Sequence, residues 1–67
     1  MIERTVVVDG QAWRVSWQFG MAVVEVWSVE AAAWLLAEDA DWRPLQPVQV
    51  AVADVERRGF RGEAGDR

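Results

Sequence analysis

Between residues 12 and 19 apolar side chains recur at every second position: Trp13, Val15, Trp17 and Phe19 alternate with Ala12, Arg14, Ser16 and Gln18. A period of two is the pattern of a strand with one buried face, and a helix would scatter these four side chains around its axis. Upstream, Asp9-Gly10 separates this run from Thr5-Val6-Val7-Val8. An Asp-Gly pair between two β-prone runs signals a two-residue hairpin, because a type I′ turn needs positive φ at both central positions. A two-residue loop sets Val6 opposite Trp13 and Ile2 opposite Trp17, so the apolar residues of both strands share one side. Arg4 falls opposite Val15 on that side, a blemish an edge strand can tolerate.

A second turn at Phe19-Gly20 leads into Met21 to Trp27. Pairing there sets Ala22, Val24 and Val26 across from Trp17, Val15 and Trp13. The same register sets Arg14 opposite Glu25 on the reverse face, an opposite-charge cross-strand pair. One register therefore satisfies both faces of a three-stranded meander. Trp27 projects to the reverse face with Val7, Ala12 and Val23.

Ser28 reads as an N-cap, and the Ala- and Leu-rich segment Val29 to Ala40 reads as a helix. Its inward stripe is Val29, Ala32, Ala33, Leu36 and Ala40. Glu30, Glu38 and Asp41 lie on the opposite arc, and Trp34 falls among them. Asp41 to Pro47 reads as a loop because two prolines oppose helix. Val48, Val50 and Val52 then alternate like a fourth strand, while Val48, Val52 and Val55 also fit a helical spacing. The order expected is β-β-β-α-β, an α+β two-layer sandwich with one helix packed on a small, mostly antiparallel sheet. A right-handed crossover would leave strands three and four parallel. Residues 1–60 form the single domain, and 61–67 are expected to be a flexible charged tail.

A chain of 67 residues buries little surface and often recruits a disulfide or a metal. With no Cys and no His, disulfides and the usual zinc ligands are both absent. Stability must come from packing, for which five Trp are the main resource, or from self-association. No apolar run reaches the length of a membrane helix, and the N-terminus lacks signal-peptide order, so the cytoplasm is the expected address. The Lys-free, Ala-, Val- and Arg-rich vocabulary has the look of a GC-rich bacterial or phage genome.

The chemistry that the residues allow is sparse. There is no His to act as a base near neutral pH, no Cys nucleophile and no Lys for a Schiff base. Ser16 and Ser28 have structural duties, and Glu38, Asp39 and Asp41 match a solvated helix end better than a hydrolytic pair. The glycines fit neither a phosphate loop nor a dinucleotide fingerprint. The expectation is a non-enzymatic regulatory or adaptor protein with no catalytic, cofactor or metal site. The net charge of −4 argues against direct nucleic-acid contact and for a protein partner with a basic surface. The candidate partner-binding residues are Trp34, Glu30, Glu38, Trp42 and Trp27, since Trp is enriched at interface hot spots. For Trp34 and Trp42 a second reading stands open, in which they fold onto the core. Self-association through the reverse face or a strand edge is a further expectation. The alternative function is a ligand-, glycan- or nucleic-acid-binding module that stacks on exposed Trp.

Overall fold

The computed structural model describes residues 1–62. It is a four-stranded antiparallel meander, β1 (Glu3–Val8), β2 (Gln11–Gln18), β3 (Met21–Ser28) and β4 (Ala33–Leu36), in that spatial order. A single turn, α1 (Asp39–Trp42), follows, and then a 15-residue helix, α2 (Gln46–Phe60). The α+β class holds, with one long helix packed across an antiparallel sheet. The first two hairpins have the expected register, with Val6 opposite Trp13 and Arg14 opposite Glu25. The first turn has the expected positive φ, +51° and +82° at Asp9 and Gly10. Phe19, expected to point with Trp13, Val15 and Trp17, is instead a turn residue, 94% exposed, with φ +56° beside +74° at Gly20.

The second half of the chain corrects the expected order, because helix and fourth strand exchange places. Ser28 Oγ accepts from the Ala31 N–H at 3.1 Å, the contact an N-cap would make. Here it closes a hairpin loop, which ends at Ala32 with φ +51°. A Ser three residues before an amide marks a helix start and a tight turn alike. The strand wins because β4 sets Trp34 across from Trp27 and Leu35 across from Val26. A helix would have left Trp34 in water. Every strand pair among the described residues is antiparallel, and β3 and β4 form a hairpin in place of the expected parallel crossover.

The stretch read as a strand, Val48 to Val52, is the start of α2. Pro47 lies in its first turn, where the missing N–H is no loss and the fixed φ suits the helix. The buried stripe is Val48, Ala51, Val52, Val55 and Gly59, while Val50 faces solvent. Helical spacing therefore prevails over the shorter alternation. α2 lies across β1, β2 and β3. The core joins Ile2, Trp13, Val15 and Val24 of the sheet layer to Trp42 and the α2 stripe.

Arg4, the apparent blemish, has a partner in the helix layer. It donates to Asp54 at 3.1 Å, and Arg57 and Arg58 close on the same carboxylate. The hydrogen bond from Arg4 holds the Asp54 carboxyl below its usual range, helped by the charges of Arg57 and Arg58 and opposed by partial burial. A folded-state pKa below the unfolded value stabilises the fold above the unfolded value, near 3.8. That contribution fades as pH falls through the lowered folded-state value. Asp54→Asn should therefore melt below the parent at neutral pH, and paired melts should converge in strong acid. A constant difference at all pH values would show that the pairing contributes nothing.

The expected tail, 61–67, lies outside the described residues from 63 onward. Arg61 is the C-cap of α2, its N–H bonded to the Arg57 carbonyl. Among the described residues no helix is long and apolar enough to cross a membrane.

Candidate functional site on the open sheet face

One helix covers one face of the sheet, and among the described residues no layer lies over the other face. Alternation assigns Glu3, Thr5 and Val7 of β1 to that open face. It adds Arg14 of β2, Val23, Glu25 and Trp27 of β3, and Trp34 and Leu36 of β4. Val7 is 66% exposed and Leu36 76%. Trp27 and Trp34 are half-buried against each other, their rings 5.4 Å apart and edge to face at 69°. This cross-strand aromatic pair is the largest apolar feature of the face and sits at the end of the sheet bounded by the Asp9-Gly10 and Val29–Ala32 turns.

Arg14 organises the centre. Its Nε and Nη2 both donate to Glu25 Oε1, at 3.0 and 2.9 Å. Its guanidinium carbon lies 4.6 Å from the centre of the Trp34 ring. The ring face thus holds a cation, in the geometry of a cation–π contact. Ser16, on the same face, is buried beneath Gln18, whose amide donates to its hydroxyl at 2.7 Å. That hydroxyl sits in a closed side-chain contact and is not presented to solvent.

Charge is unevenly shared between the layers. The open face and its bounding turns carry Glu3, Asp9, Glu25 and Glu30 against Arg14 alone. Arg4, Arg57 and Arg58 gather on Asp54 between sheet and helix. The sheet side is therefore the acidic side.

Of the five residues singled out from the sequence, the structure brings Trp27 and Trp34 together. Glu30 is in the turn that joins their strands. Glu38 and Trp42 stand elsewhere. Glu38 precedes α1, and its N–H donates to the Asp41 carboxylate at 3.4 Å, which caps that turn. Trp42 is 7% exposed in the core, with Arg43 over its ring at 5.0 Å. The ridge of Glu30, Trp34 and Glu38 needed a helix, so it does not form. Val7, Arg14 and Leu36 complete the face. Val7 and Arg14 could have been placed there from the hairpin register, whereas Leu36 required β4 to be recognised as a strand.

The described residues enclose no cavity, and no three of their acidic side chains converge on a point that could hold a metal ion. The buried Trp13 indole N–H has no hydrogen-bond partner among the described residues, but it lies in the core, away from the open face. Neither a family model, nor a curated protein, nor a solved structure matches the chain.

Proposed function

We propose that the chain is a non-enzymatic regulatory or adaptor module that docks a basic protein partner on the open face of its sheet. Trp27 and Trp34 are the anchor, and the observation that carries this reading is their pairing on an uncovered, acid-rimmed face. Large aromatics beside exposed apolar side chains and bordered by charges have the anatomy of a hot spot. Glu3, Asp9 and Glu30 would meet Arg or Lys on the partner, which adds rate and specificity more than affinity. The edge-to-face geometry of the two rings leaves no parallel gap for a sandwiched base or sugar, which favours a protein surface over a stacked ligand.

Calorimetric titration with a synthetic peptide of alternating Arg and Leu tests the reading. Binding should saturate, weaken with added salt, and fall by about 30-fold in Trp27→Ala, since losing a hot-spot Trp costs about 2 kcal/mol or more. Val7→Asp should weaken it less. Equal affinity in the parent and Trp27→Ala, with both variants folded, would overturn it.

A further inference from the structure

We infer that two copies of this chain join edge to edge through β4, making one eight-stranded antiparallel sheet. The two edges of the sheet differ. β1 carries Glu3 at its outer edge and turns Arg4 inward, and charges so placed discourage strand addition. β4 reads Ala33-Trp34-Leu35-Leu36, with no charge, no proline and no bulge. Leu35 and Leu36 are 47% and 76% exposed.

Backbone phase selects the register. The Ala37 N–H donates to the Val24 carbonyl at 3.0 Å. Because hydrogen-bonded pairs alternate along an antiparallel ladder, Ala33, Leu35 and Ala37 turn their backbone groups toward β3. Trp34 and Leu36 turn theirs outward, and among the described residues no turn, loop or side-chain group bonds them. A two-fold axis through Leu35 pairs Trp34 of each copy with Leu36 of the other. All four outward N–H groups then meet outward carbonyls.

Opposed residues in an antiparallel pair project to the same face, so the exposed Leu36 of each copy covers the Trp34 of its partner. The edge is thus complementary to itself in hydrogen bonding and in side chains. Five paired residues per chain bury less than the roughly 1,200 Å² of a standard stable interface, so the dimer is weak and concentration-dependent. The register also brings Glu30 of one copy toward Glu38 and Asp39 of the other at both ends. Salt should therefore strengthen this association, opposite to its effect on the basic partner. The inference rests on the backbone phase of β4 and not on the docking reading; the dimer would cover Trp34 and leave Trp27 of each copy on one continuous face.

Sedimentation equilibrium of the full chain across a concentration series, in low and high salt, tests it. The expected result is a monomer–dimer equilibrium that shifts toward dimer with salt. Leu36→Pro removes one outward N–H from the edge and no hydrogen bond to β3, so it should leave a folded monomer. Leu36→Lys should do the same through charge, and it guards against a proline that distorts the strand. Val7→Lys, on the far strand, should dimerise like the parent. A parent that stays monomeric at millimolar concentration, or a dimer that persists in folded Leu36→Lys, would overturn the inference. Because Leu36 lies on the docking face, the docking reading is tested apart from these variants, by titrating the peptide into the parent and into Trp27→Ala at a concentration where the parent is monomeric.

Discussion

Trp42→Ala should destabilise the protein by about 3–5 kcal/mol, the cost of emptying a buried aromatic site. The whole fold, at 67 residues, is worth only about 3–10 kcal/mol. A thermal melt of the variant should therefore show most or all of the cooperative transition gone. Trp42 lies on a single turn between β4 and α2 and packs with the α2 stripe, so its loss opens the core where the chain passes from sheet to helix. The half-buried Trp34 should behave differently, and Trp34→Ala should retain a cooperative melt. If Trp42→Ala melted like the parent, the indole would not be part of the core.

Gly59→Ala should destabilise by about 1–3 kcal/mol, the cost of overpacking, although alanine is the better helix former by about 1 kcal/mol. A Cβ on Gly59 would clash with the Trp17 ring, meeting Cδ2, Cε3 and Cε2 at once. The ring also packs edge-to-face on Phe60, with centroids 4.9 Å apart, so moving it away disturbs a second contact. Chemical denaturation should show a lower midpoint with an unchanged slope. Trp17→Leu combined with Gly59→Ala should recover part of the loss, because the smaller side chain makes room for the methyl group. A gain in stability from Gly59→Ala alone would show that the last turn of α2 does not press on Trp17.

These packing contacts explain which parts of the fold could be read in the sequence. In the first 28 residues turn chemistry, alternation and charge pairing all agree on one register, and the structure has it. Beyond Ser28 the local signals become ambiguous. Ser28 makes the same hydrogen bond whether it caps a helix or closes a hairpin, and Ala and Leu favour helix by only a few tenths of a kcal/mol per residue. The pairing of Trp34 with Trp27 outweighs that preference and cannot be seen until β4 is placed beside β3. Pro47 opposes a helix interior, yet in the first turn of α2 it favours a helix start. The partner of Arg4 was hidden for a similar reason, since Asp54 is 50 residues away and faces it only when 46–60 is helical.

The candidate site shows the same division. Trp27 could be placed on the reverse face from the hairpin register alone. Trp34, for which the sequence leaves surface and core both open, is half-buried on the open face, and its neighbours there are set by β4 being a strand. Trp42, read as either a lid or a contact, is the lid.

The proposed docking surface is the uncovered sheet face. Its most direct test places a photo-crosslinking amino acid at Val7, on that face, or at Val50, on the exposed side of α2. Both proteins are irradiated with the Arg–Leu peptide, and the crosslinked product is weighed by mass spectrometry. The structure predicts peptide adducts from position 7, suppressed by Trp27→Ala, and few from position 50. Adducts from position 50 alone, or equal yields from both, would place binding on the helix layer and contradict the claim.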